Sequence, residues 1–361
     1  MPNPISAPPD SQDAEADETR RAIASATEAR FGLPVVAHSV RALGGGAHRR
    51  MERVDIDVGG QARQWVLCRV QPGASGLDPR LESDLLALMA DVGVPVPAVI
   101  YPLAPSDGLG DGYVMELVEG ETIARRILAD PRLAPGREVM AEQCGRALAL
   151  IHSVDPSRVP GLPAPADASR LVEQRARRWH ALLDSAREPQ PALEVAVRWL
   201  EDHQPSPGER SVVHGDFRLG NLLVGPDGLR AVLDWELASL GDPMEDLGWL
   251  CTRAWRWGND DLAVGGFGTR EDLFAAYESA GGRPVDPDAV RYWEVAGCVK
   301  WAFGCLFQVG RFLDGSVPTL EMAALGRKVC EPAYDALTLV DAGRRLGPLN
   351  VASEPTPATN Q

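Results

Sequence analysis

This chain of 361 residues predicts an α+β fold in two parts, a small one built on strands and a larger one built on helices. Residues 35–116 alternate apolar and polar side chains with a period of two around one helical stretch. Beyond Gly120 the apolar spacing is mainly helical, interrupted at 211–236 by a polar loop set among short apolar runs.

Bulk composition narrows the function. A formal net charge of −15 argues against nucleic acid as a partner, because that role needs a basic footprint. No apolar run reaches the roughly 18 residues of a membrane span. The first residues lack the basic start and apolar core of a secretory signal, so the expected compartment is the cytoplasm. Six scattered cysteines form no C-x-x-C pair and read as buried, reduced thiols. Lysine occurs only at Lys300 and Lys328, which leaves basic work to arginine.

Taken in order, residues 1–34 comprise a disordered, proline-rich lead and a helix over 14–31, stopped by Gly32 and Pro34. The sheet lobe spans 35–116. Its first two strands flank Gly44, Gly45 and Gly46, a turn whose bare backbone can approach phosphates closely, although an ordinary hairpin needs such glycines too. A strand over 64–70 follows, and alternation puts Cys68 and Arg69 on its opposite faces. Asp78 and Pro79 open a helix carrying Glu82, after which Tyr113 to Gly120 form a strand leading out of the lobe. Residues 117–345 form the helical lobe, with helices over 138–152, 168–185, 192–203, 270–280, 287–312 and 319–339. Residues 346–361 are a flexible tail.

Within 211–236 the spacing His214-x-Asp216-x4-Asn221, then Asp234, reproduces the catalytic loop and metal-binding aspartate of protein kinases. Phosphoryl transfer needs one carboxylate to orient or deprotonate the attacking hydroxyl and a hard-oxygen pair to hold Mg2+ against the phosphates. Asp216 suits the first role, and Asn221 with Asp234 the second. Each residue type also forms turns. His214 is either part of the chemistry or a brace for the backbone, and Glu236 is either an accessory contact to metal or water or an exposed strand end.

The run His-Gly-Asp-Phe-Arg-Leu-Gly-Asn, followed by Leu-Asp-Trp-Glu, resembles the signature of the aminoglycoside phosphotransferase and choline kinase family. The resemblance covers roughly residues 36–340 and implies a bilobal protein-kinase-like fold, with a small antiparallel-sheet N-lobe, a larger helical C-lobe, and ATP and Mg2+ as cofactors. By the same resemblance Gly44, Gly45 and Gly46 would cover the phosphates. Arg69 would stand in for the kinase lysine and pair with Glu82, while Met115, Glu116, Leu117 and Val118 would receive adenine. Family members commonly show two arginines where this chain has Cys68 and Arg69; if Cys68 faces the cleft, the phosphate clamp is missing. Asp246 lies in a Gly-Asp-Pro-x-x-Asp-Leu run that also recurs in the family, and would brace the catalytic loop.

The acceptor implied is the hydroxyl of a small molecule. The segments Val-Met-Glu and Leu-Asp-Trp-Glu look most like the family branch associated with acyl-CoA dehydrogenases, which points to a hydroxyacyl-CoA or related metabolite. Antibiotic phosphorylation is the alternative, since twelve acidic residues face five arginines between Glu236 and Glu294, and an aminoglycoside is polycationic. A catalytically weak nucleotide-binding module is a further alternative, motivated by the missing strand lysine. Trp249, Trp255 and Trp257 form either core or a wall of the acceptor pocket.

Overall fold

The computed structural model describes residues 9–43, 49–71, 76–164, 171–206 and 208–346. The chain divides into two compact units, the first formed by Met1–Ala164, Arg210–Asp246 and Phe267–Pro284, the second by Pro165–Glu209, Leu247–Gly266 and Val285–Gln361.

The first unit begins with helix α1 (Pro9–Phe31) and a five-stranded sheet of β1 (Val35–Ala42), β2 (Arg49–Val58), β3 (Gln61–Val70), β4 (Val99–Pro102) and β5 (Gly112–Glu116). Their order is β1-β2-β3-β5-β4 and every pair is antiparallel. Period-two alternation divides the sheet's side chains. Val54, Ile56, Trp65, Leu67 and Val114 join Ile23 of α1 in a closed apolar cluster, so this face is fixed to the helix. Facing residues of an antiparallel pair share a face. Met51 opposite Cys68, and Cys68 opposite Tyr113, therefore lie on the other one.

Helix α2 (Pro79–Asp91) starts where Asp78 accepts from the Arg80 N–H at 2.8 Å and Pro79 pre-sets the first turn. Short α3 (Ala124–Ala129) and long α4 (Ala134–His152) follow. The expected lobe boundary at 116/117 falls inside this unit, where backbone bonds between Glu121 and Val224 of 2.9 and 3.0 Å join the segment after β5 to the hairpin that follows Asn221. That hairpin is β7 (Leu222–Gly225) with β8 (Gly228–Val232), while β6 (Ser211–Val213) pairs with β9 (Ser239–Gly241). Helix α8 (Arg270–Ser279) packs on α4 so closely that a Cβ on Gly145 would lie 2.5 Å from the Leu273 carbonyl oxygen.

The second unit is helical: α5 (Leu171–Ser185), α6 (Pro191–Asp202), α9 (Pro287–Leu313), α10 (Leu320–Lys328) and α11 (Cys330–Leu346). Helix α7 (Met244–Cys251) begins in the first unit and ends in this one. The single helix expected over 319–339 is two, because Pro332 lacks an N–H and its ring opposes the carbonyl four residues back. Trp255 meets Trp249 edge to face and Trp301 at a tilt, each with centroids 5.0 Å apart, and Trp249 and Trp255 are buried, so this part of the tryptophan cluster is core of the second unit. No helix among the described residues is long and apolar enough to cross a membrane.

Candidate active site

The expected catalytic residues converge in the first unit because two tight backbone devices bring them together. After β6 the chain turns at Gly215, whose φ is +78°; a Cβ there would sit 2.5 Å from the Leu237 carbonyl oxygen. After β8, Asp234 takes a left-handed φ of +65°. This conformation is uncommon for any residue but glycine, and aspartate is among those that tolerate it best. A short 3-10 turn over Leu219–Asn221 returns Asn221 to Asp216. The Asn221 Nδ2 donates to Asp216 Oδ2 at 2.6 Å and to the Asp216 carbonyl at 3.0 Å. Both donations come from the amide nitrogen, leaving the amide oxygen as the atom that can take a cation. Arg218 Nε donates to the other oxygen of Asp216 at 3.2 Å.

Beneath this loop lies Asp246, fully buried at the start of α7. Its Oδ2 accepts from the His214 N–H at 2.7 Å and its Oδ1 from the Gly215 N–H at 2.9 Å. His152 Nε2 meets Oδ2 at 3.1 Å, and His152 Nδ1 meets the Tyr277 hydroxyl at 3.0 Å. Burial would push the Asp246 carboxyl up, but His152 and the loop's donors hold it below the ordinary aspartate value.

Of the two readings of His214, its contacts match the brace for the backbone. It is wholly buried, with Nε2 donating to the Leu233 carbonyl at 3.0 Å and Nδ1 accepting from the Asp216 N–H at 3.2 Å. One ring thereby ties the two strand ends carrying Asp216 and Asp234.

A pocket opens above, lined among others by Cys68, Tyr113, Met115, Asn221, Asp234 and Glu236. Burial first, and then the charges of Glu236, Asp216 and Glu82, push the Asp234 carboxyl up to about 7. Such crowding of carboxylates fits a divalent cation, whose charge would relieve it. Among the described residues no three His, Cys, Asp or Glu side chains form a metal cage. Magnesium is compatible with that, since it is commonly held by one or two protein ligands completed by water and phosphate.

The remaining expectations divide. Met115 lines the pocket and Leu117 and Val118 are half-buried, whereas Glu116 is exposed. Gly44, Gly45 and Gly46 lie outside the described residues. The expected pairing of Arg69 with Glu82 is not formed. Arg69 is on the α1 face, where its Nη2 pairs with Glu52 at 2.5 Å, because a one-residue step along a strand reverses the face. Glu82 instead accepts from Arg49 Nη2 at 2.6 Å and from the Tyr113 hydroxyl at 3.0 Å. Arg49 and the His152–Tyr277 support went unread in the sequence. A register for β2 on β3 would have revealed the first; no local signal marks the second.

A small antiparallel sheet, a helical part and this loop define a protein-kinase-like phosphotransferase fold. The chain belongs to the phosphotransferase enzyme family (APH), which it matches over residues 39–293. Over 175 residues it is 34% identical to acyl-CoA dehydrogenase family member 10 of Mus musculus, a match covering 47% of this chain and 16% of that protein. The matched region is thus about a sixth of the relative's length. Among solved structures, a protein of Ralstonia eutropha JMP134 classed with aminoglycoside phosphotransferases superposes with a TM-score of 0.71 at 23% identity, covering 89% of this chain and 98% of that one. A thermostable aminoglycoside phosphotransferase APH(4)-Ia in ternary complex with AMP-PNP and hygromycin B gives 0.59 at 17% identity, covering 89% and 98%. Both are similar in fold.

Proposed function

We propose that this chain is an ATP- and Mg2+-dependent phosphotransferase that moves the γ-phosphoryl group to a hydroxyl of a small molecule, a hydroxyacyl-CoA or related metabolite. The observation that carries this reading is the contact of Asn221 with Asp216 at 2.6 Å near the crowded Asp234 carboxyl, with Asn221 and Asp234 both lining the pocket. Asp216 orients the acceptor hydroxyl and takes its proton as the oxygen attacks the γ-phosphorus, the β–γ bridging bond breaks, and ADP leaves. The Asn221 amide oxygen and the Asp234 carboxylate would hold magnesium, which supplies charge neutralisation on the phosphates. Met115, on the sheet face that lines the pocket, supports an apolar seat for adenine.

The acyl-CoA direction rests on the 34% identity to the acyl-CoA dehydrogenase relative. Because the match is a small part of that protein, its own activity is not carried over. The acidic stretch from Glu236 to Glu294 favours an aminoglycoside acceptor as the second reading. Cys68 at the pocket in place of a cation favours the third, a weakly catalytic nucleotide-binding module. Action in the cytoplasm belongs to the first reading.

The test is ADP release with MgATP across hydroxyacyl-CoAs and aminoglycosides, with Asp216→Ala as the control. Turnover with a hydroxyacyl-CoA, lost in the variant, is the expected result. Turnover with aminoglycosides alone would replace the acceptor, and binding without any turnover would leave the module.

A further inference from the structure

A triphosphate site needs a fixed cation beside its metal, and β3 offers none to this pocket: Cys68 faces it and Arg69 faces α1. We propose that Arg49, the first residue of β2, is the phosphate-binding cation of the pocket, delivered from the strand adjacent to β3; the inference rests on the nucleotide reading above.

Register makes the substitution possible. Met51 stands directly opposite Cys68 and Arg49 opposite Val70, so Arg49 is the diagonal neighbour of Cys68 on the same face. A guanidinium on a long stem can cross that diagonal. Among the described residues lining the pocket Arg49 is the only cation, and it shares the space with Glu82, Asp234 and Glu236. The carboxylate on α2 engages it at 2.6 Å, and the Leu77 carbonyl accepts from the same nitrogen at 2.8 Å.

Two features exceed what packing requires. Arg49 is 6% exposed and Glu82 2%, and a buried ion pair of this kind is seldom worth more to stability than apolar side chains of the same volume. In addition, Arg49 Nε is buried and meets no acceptor among the described residues, an expensive omission for a guanidinium. The Glu82 pair fixes Nη2 while Nε remains without a partner. A phosphate oxygen at the pocket would satisfy it and exploit the fork geometry of arginine.

The experiment compares affinities for MgATP and for adenosine in the full chain, wild type against Arg49→Lys, Arg49→Met, Arg49→Met combined with Cys68→Lys, and Arg69→Gln. Folding of each variant is checked by denaturant titration. A phosphate contact predicts that Arg49→Met weakens MgATP by about tenfold or more while adenosine changes by less than about twofold. Cys68→Lys on that background should regain part of the loss, and Arg69→Gln should leave both affinities unchanged. Equal losses for the two ligands would reduce Arg49 to a structural partner of Glu82 and overturn the inference, as would an unchanged MgATP affinity. Should Arg49→Met fail to fold, Arg49→Lys keeps a charge against Glu82 and carries the same comparison, with a selective loss for MgATP expected and a parallel or absent loss overturning. Wild-type protein that binds neither ligand would mean that the nucleotide reading itself has failed.

Discussion

Asp246 grips His214 by its backbone N–H at 2.7 Å, and the neighbouring Gly215 N–H at 2.9 Å, so a buried carboxylate sets the height of the loop that presents Asp216. The proposed chemistry thus depends on a residue 30 positions downstream of the proposed base, a span from Asp216 to Asp246 that the fold alone closes.

Replacing Asp246 removes an acceptor from two buried amides and from His152. Asp246→Ala should destabilise the chain by about 3–5 kcal/mol, read as a lower denaturation midpoint.

The same carboxyl has a pH consequence. Its folded value lies below the ordinary 3.8, so the folded state binds its proton less readily than the unfolded state. Its contribution is fully present above the ordinary value and is lost as pH falls through the folded one. Stability measured downward from pH 5 should decline more steeply in wild type than in Asp246→Asn.

Asp216→Asn retains the size of the side chain and loses its basicity. Turnover with the responsive acceptor should fall by about 10²–10⁴-fold, with nucleotide affinity nearly unchanged in a binding titration. A matched fall in affinity would mean that Asp216 binds more than it catalyses.

Asp234→Asn should abolish the magnesium-dependent part of the thermal shift given by ATP. Wild type at a hundredfold excess of ligand over its Kd should gain about 2.7 kcal/mol, and chelating the metal should return it to the variant's behaviour.

Gly215→Ala forces a Cβ within 2.5 Å of the Leu237 carbonyl at a φ of +78°. A cost of at least about 1–3 kcal/mol is expected, together with lower turnover, because the turn also aims Asp216. Unchanged activity and midpoint would show that the loop relaxes without loss.

Much of the site was legible because its spacing is local. His214, Asp216 and Asn221 lie within eight residues, and Asp234 ends the hairpin that follows, so short-range turns bring them near one another, while Asp246 from outside the stretch fixes the loop. Asp78, Pro79 and the helix carrying Glu82 were legible for the same reason. Which cation answers Glu82 was decided by tertiary structure: the face of β3 and the register of β2 turn Arg69 toward Glu52 and bring in Arg49, 33 residues before its partner. The support of the loop through His152 and Tyr277, separated by 125 residues, is likewise invisible locally. The sequence by itself determined the family and singled out the candidate stretch, since chemistry at fixed spacing survives as a pattern. Only the tertiary structure decided which charges meet in the pocket, because alternation separates Cys68 from Arg69 without saying which face meets α1, and the register of β2 on β3 is set by long-range packing.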